Sequence, residues 1–201
     1  MYPDIQEFIQ SLDIQSVSVE RAKILQPLID YIQGQKDEEV VVQLNFICTH
    51  NSRRSHLCQV WAKTMAAYFG IQDVRCYSGG TETTAVYPMI IKTLKNVGLY
   101  IDKIDDNTNP TYKLKYSDEM CPMTLFSKTY DDAYNPKEDY AAIMTCGHAE
   151  SNCPIIPNAK RISVTYVDPK VSDGTPEQAA VYAERSAQIA TEMKYVFSNI
   201  K

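Results

Sequence analysis

Apolar positions recur at helical spacing at both ends of the chain, whereas in the middle they gather into short runs. Ile5, Phe8, Ile9 and Leu12 share one face of a first predicted helix. Ile24, Leu25, Leu28, Ile29 and Ile32 trace a second, which Pro27 should kink or split. Gly34 and the polar run Gln35-Lys36-Asp37-Glu38-Glu39 then mark a link to the main domain. Residues 1–38 accordingly read as a helical N-terminal extension, and 39–201 as that domain.

From Val40 to Ile47 the pattern changes to a β-rich run suited to a central strand covered on both faces. A polar turn, Cys48 to Ser55, separates it from Leu57, Val60, Trp61, Thr64, Met65, Tyr68 and Phe69, one face of a helix ending at Gly70. Val74 to Ser78 predicts a short strand closed by Gly79-Gly80. Residues 86–97 predict a helix with Gly98 as its C-cap. The polar stretch from Asp102 to Pro110 reads as a loop. Strands are expected at Tyr112–Tyr116, Thr124–Ser127, Ala141–Thr145 and Ile162–Tyr166, with a turn-rich passage from Tyr130 to Pro136. Thr175-Pro176-Glu177-Gln178 has the pattern of a helix N-terminus, with an apolar stripe at Ala179, Ala183, Ala190, Met193, Phe197 and Ile200. Alternating strands and helices predict an α/β three-layer sandwich: a mainly parallel sheet of four or five strands with helices on both faces.

Composition narrows the function. The chain has 201 residues, 44% of them hydrophobic, enough for a packed core, and a net charge of -5. That charge leaves no basic surface for nucleic acid, and no stretch is both basic and amphipathic, so a membrane-surface role is not expected. The N-terminus lacks a basic leader and an apolar signal stretch, and the run around Val40 to Cys48 is too short to span a bilayer, so a cytosolic location is expected. In a reducing cytosol the six cysteines, at 48, 58, 76, 121, 146 and 153, read as buried, catalytic, metal-binding or redox-active thiols rather than structural disulfides.

The sharpest chemistry lies in Cys48-Thr49-His50-Asn51-Ser52-Arg53-Arg54-Ser55, a Cys at the end of a strand with an Arg six positions later. In such a loop backbone N–H groups surround a concavity and the following helix adds its positive end, a field that favours the thiolate. Arg54 can grip two oxygens of a tetrahedral anion. Asn51 tolerates a left-handed backbone, and Ser55 can donate to the sulfur. The segment resembles the active-site loop of the low-molecular-weight tyrosine phosphatases and of the thioredoxin-coupled arsenate reductases built on the same fold. Those families have Cys-x5-Arg-Ser with Asn three residues after the Cys, matched here by Cys48, Asn51, Arg54 and Ser55. Two positions depart: His50 stands where Gly is usual, narrowing the loop or adding a donor, and Arg53 stands where many members have Cys, adding charge near the anion.

The resemblance implies further roles. Both families take the leaving-group proton from an Asp-Pro near the C-terminus, here Asp168-Pro169, which makes Asp168 the general acid. Arsenate reduction also needs two further thiols, one to attack Cys48 and one to carry the disulfide to the surface, and exchange of this kind needs them close together on one segment. Cys146 and Cys153, seven apart and followed by Pro154, match the pair of the thioredoxin-coupled reductases. The resemblance thus implies an arsenate or phosphate-type oxyanion as substrate, a thioredoxin-like reductant as partner, and no cofactor. Other readings of the pair are coincidence, or half a zinc site with His148, although zinc pairs favour two to four intervening residues. Competing functions are a phosphomonoesterase acting on phosphotyrosine or a small ester, and a non-catalytic oxyanion-binding protein. Lys170, where tyrosine phosphatases often carry an aromatic residue, favours a small inorganic anion. His56 reads as a surface residue at a helix start. Cys58, Cys76 and Cys121 read as packing residues, with Cys121 also open to exposure.

Overall fold

A computed structural model of the chain describes residues 1–147, 149, 156 and 158–201. In chain order the elements are α1 (Pro3–Ser11), α2 (Val19–Asp37), β1 (Val42–Cys48), α3 (Arg54–Tyr68), β2 (Val74–Gly80), α4 (Pro88–Asn96), β3 (Tyr100–Lys103), β4 (Tyr112–Lys115), β5 (Met123–Leu125), β6 (Tyr140–Met144), β7 (Ala159–Ser163) and α5 (Gln178–Ser198). Short 3-10 turns lie at Ile14–Ser16 and Pro169–Ser172.

The central sheet is parallel and four-stranded in the order β2-β1-β6-β7, flanked by helices. The β1 strand is interior, with Leu44 opposite Cys76 on one side and Ala141 on the other. Its side chains alternate between two apolar clusters. Leu44 and Phe46 join the main core with Trp61, Met193 and Phe197. Ile47 joins a smaller cluster on the other face with Tyr140, Ala142, Met144 and Cys146. Ile5 and Ile9 from α1, and Leu25, Leu28 and Ile32 from α2, enter the same main core. Each such aliphatic side chain contributes about 1.5–3 kcal/mol when fully buried. Among the described residues no helix is long and apolar enough to cross a membrane.

Several details differ from the sequence expectations. Helix α2 runs unbroken through Pro27 and includes Gly34. Pro27 and Lys23, whose carbonyl loses its partner, both face solvent, where water can replace the missing bond. The stretch from Tyr100 to Leu125 forms a separate antiparallel sheet, β3-β4-β5, so the expected loop from Asp102 begins as a strand. Strand β7 starts and ends three residues early, and the chain beyond it still follows β6, with Val164 N donating to Met144 O and Tyr166 N to Thr145 O. Helix α5 starts at Gln178, because the Thr175 hydroxyl donates to Ser172 O and the Gln178 amide to Tyr87 and Asp173 instead of forming a capping box. Ala179 and Ala183 are exposed, and Tyr182, Ser186 and Ile189 face the core in their place.

Candidate active site

The turn between β1 and α3 wraps back on the end of its own strand. Cys48 is the last residue of β1 and is buried, its Sγ 3.1 Å from Ser55 Oγ. Ser55 Oγ also accepts from Asn51 Nδ2 at 2.9 Å, which leaves the hydroxyl hydrogen free to point at the sulfur. Asn51 has φ 44°, the left-handed backbone expected of it, and is fully buried. The loop is pinned from outside by Thr81 N to Cys48 O, Glu82 N to Thr49 O, Ser127 Oγ to His50 O and Tyr87 N to Ser52 O. Gly80 permits this closeness: a Cβ there would lie 2.7 Å from both Asn51 N and Thr49 O.

His56 is no surface residue. It has no exposed area, because α3 is covered on nearly all sides and the ring fits between the loop and β2. Its Nε2 lies 2.9 Å from Asn51 O, a group that only accepts, so Nε2 carries the hydrogen and Nδ1 accepts from Ser78 Oγ at 3.2 Å. Burial, with the Lys128 charge second, pushes the imidazole down to about 3, so it is neutral near pH 7. Lys128 itself is 2% exposed; its backbone N–H donates to Asn51 Oδ1 and its ammonium sits 4.6 Å from the Phe126 ring. Sequence reading missed both residues, and also Ser127; no local spacing signals any of them.

Arg54 opens α3 and turns toward the segment beyond β7. Its guanidinium donates to Tyr166 O at 3.1 Å and forms an ion pair with Asp168 at 2.6 Å. Its Nε is buried and has no partner among the described residues, which leaves a donor for an anion oxygen. The expected clamp and the expected acid are therefore adjacent. Arg53 is different. Its side chain points to Asp173 and Tyr182, at 2.6 Å each, so its charge is already paired. The expectation that it adds charge near the anion is corrected on that ground. The His50 imidazole is exposed at the mouth of the loop, 3.4 Å from the Glu82 carboxylate.

Cys146 lies two residues beyond β6, on the strand neighbouring β1, so both thiols sit at the same carboxyl edge of the sheet. Its Sγ is buried, 3.5 Å from Thr49 Oγ1, the residue next to Cys48. Cys48 and Cys146 are free thiols that share the smaller apolar cluster. Cys153 and His148 lie outside the described residues. Cys58 is fully buried and Cys76 partly so, burial pushing both thiols up, whereas Cys121 is exposed.

A family model described as low molecular weight phosphotyrosine protein phosphatase matches residues 43–118. An arsenate reductase of Halalkalibacterium halodurans is 31% identical over 152 residues, which span 74% of this chain and 90% of that protein. One from Bacillus subtilis is 29% identical over 141 residues, 70% of this chain and 83% of that protein. Among solved structures, an arsenate reductase in the phosphate binding state aligns with a TM-score of 0.54 at 20% identity, over 80% of this chain and all of that one. A low molecular weight protein tyrosine phosphatase from T. tengcongensis gives 0.50 at 14% identity, over 79% of this chain and 99% of that one. At those identities the two structures speak for the fold, an α/β sandwich on a four-stranded parallel sheet.

Proposed function

This chain belongs to the low-molecular-weight phosphotyrosine phosphatase and arsenate reductase family, a family of enzymes, and from that premise we propose that it reduces arsenate to arsenite through a relay of three cysteines regenerated by a thioredoxin-like dithiol. The observation that carries the reading is the thiol of Cys146, 3.5 Å from Thr49 Oγ1 and in the same small cluster as Cys48. Phosphoester hydrolysis through Cys48 requires no second thiol, whereas the relay does.

The loop formed by Thr49, His50, Asn51, Ser52, Arg53 and Ser55 surrounds the anion, with Arg54 holding two of its oxygens. The Cys48 thiolate attacks arsenic; the bound oxyanion replaces Asp168 on Arg54, and Asp168, having taken up a proton as that ion pair is released, gives it to the departing hydroxide, which leaves as water. Cys146, as thiolate, then attacks Cys48 Sγ. The S–S bond forms, the S–As bond breaks and its electron pair stays on arsenic. As(V) becomes As(III), arsenite departs, and the two thiols are oxidised to a disulfide. Cys153 next attacks Cys146, freeing the Cys48 thiolate, and the Cys146–Cys153 disulfide is reduced by the external dithiol, itself oxidised in turn. The exposed Lys170 beside Asp168 gives a charged rim in place of an aromatic wall, which suits a small inorganic anion.

The test is arsenate-dependent NADPH oxidation with thioredoxin and thioredoxin reductase. Turnover by the intact protein that is lost in each of Cys48→Ser, Cys146→Ser and Cys153→Ser is the expected result. Hydrolysis of an aryl phosphate that needs Cys48 alone, with no arsenate-dependent oxidation, would make the protein a phosphatase.

A further inference from the structure

The two consecutive arginines of the loop grip the two ends of one short turn. Asp168 precedes the 3-10 turn Pro169–Ser172 and caps it, its Oδ1 accepting from Lys170 N at 3.0 Å; Asp173 comes after it, its N–H donating to Lys170 O at 3.0 Å. Arg54 binds the first carboxylate and Arg53 the second. The Arg53 end is the more heavily built. Its Nε donates to Tyr182 Oη and its Nη2 to Asp173 Oδ2, while Tyr182 Oη donates to Asp173 Oδ1 at 2.6 Å. The guanidinium carbon lies 4.0 Å from the centre of the Tyr87 ring, which stacks on Tyr182. The Gln178 amide donates to both Tyr87 Oη and Asp173 Oδ1. Two of the three guanidinium nitrogens of Arg53 are thus committed, Nη2 to Asp173 beside the turn and Nε to Tyr182, which itself donates to Asp173, and a planar fork is what this arrangement needs.

We propose that Arg53 is a positioning residue: through Asp173 and the Pro169–Ser172 turn it holds the Asp168 carboxyl over the anion loop, and it does not bind the oxyanion. This rests on the reading of Asp168 as the general acid. A properly placed acid contributes roughly 10²–10⁴-fold in rate, so a turn released at one end loses part of that factor and leaves anion affinity alone.

The experiment is a double-mutant cycle on Arg53→Met and Asp168→Asn, with Asp173→Asn as a second route to the same contact. The readouts are the single-turnover rate of arsenite release by the pre-reduced protein, or of aryl phosphate hydrolysis if that proves to be the reaction, and the dissociation constant for inorganic phosphate. Arg53→Met and Asp173→Asn should each slow turnover by roughly 10-fold or more while phosphate affinity changes less than about twofold. In the Asp168→Asn background Arg53→Met should add less than about twofold, because the acid it positions is gone. Weakened phosphate binding in Arg53→Met, or losses that multiply in the double variant, would overturn the inference while leaving the proposed function intact. A native protein that turns over neither arsenate nor aryl phosphate would instead sink that reading, and this one with it.

Discussion

Acidification should destabilise this protein in part through His56. The folded imidazole is held near 3 by burial and by Lys128, whereas an unfolded histidine titrates near its ordinary value of about 6.5. Between those values the unfolded chain binds a proton that the folded chain refuses. Stability is therefore complete above about pH 6.5 and falls as the pH drops toward 3. At about 1.4 kcal/mol per pH unit, the loss between pH 7 and 4.5 is about 2–3 kcal/mol. Urea unfolding read by the fluorescence of Trp61, the single tryptophan and fully buried, measures it directly. His56→Gln, which cannot take up the proton, should cost about 1–2 kcal/mol at pH 7 through the weakened bonds to Asn51 and Ser78, yet show a shallower fall on acidification. Every other group is common to the two proteins and cancels in the comparison. Parallel pH dependences for the two would refute the buried neutral imidazole, and with it the tautomer that holds the Asn51 carbonyl.

Three other perturbations probe separate parts of the molecule. Gly80→Ala places a methyl group against the backbone of Glu82, Asn51 and Thr49, so the anion loop has to shift; a loss of about 1–3 kcal/mol and of phosphate binding by calorimetry is expected, and native-like phosphate affinity would contradict the close approach. Arg21→Ala strips the cationic partner, at 2.7 Å, from the almost fully buried carboxylate of Glu192 and leaves it the Gln188 amide, and should cost about 3 kcal/mol in urea unfolding; a change under about 1 kcal/mol would show that the carboxylate is not held as an ion there. Burial holds the Lys128 ammonium down to about 8, so the unfolded chain binds more protons between pH 8 and about 10.4 and stability should rise by up to roughly 3 kcal/mol across that range. Lys128→Met should abolish that rise and stabilise the protein at pH 7, and a loss at pH 7 would mean that contact with the Phe126 and Tyr134 rings outweighs desolvation.

The legible part of the site is the part made by consecutive residues. A β-rich run and an amphipathic helix announce themselves by period, and the turn expected from Cys48 to Ser55 lies between them, although Cys48 closes β1 and Arg54 and Ser55 already belong to α3. Of the antiparallel sheet, β4 and β5 fall on expected strands, whereas β3 escaped because Tyr100–Lys103 buries only Ile101, too little for a period to register. His56 escaped because a polar residue in the first turn of a helix ordinarily faces water. Here α3 also buries Ser55, Gln59 and Thr64, so its polar side is as covered as its apolar one. Arg53 was read by its neighbours in the loop, while its partners lie 120 and 129 residues away.

Asp168 shows why the remainder cannot be read from spacing. Its segment is fixed from several directions by residues scattered along the chain. Strand β6 pairs with its approach through Met144 and Thr145, and Arg54 and Arg53 take its two ends. From the extension, Arg21 of α2 lies 4.7 Å over the Tyr166 ring, whose backbone carbonyl accepts from Arg54. The N-terminal helices are thus part of the wall behind the site as well as of the core, through Ile5, Leu25, Leu28 and Ile32. The proposed nucleophile, held by its own turn, can be recognised from eight residues of sequence. The proposed acid, held by α2, the loop, β6 and α5 together, can be recognised from sequence only by analogy, and its placement is where substitutions far from the loop should alter turnover without altering anion affinity.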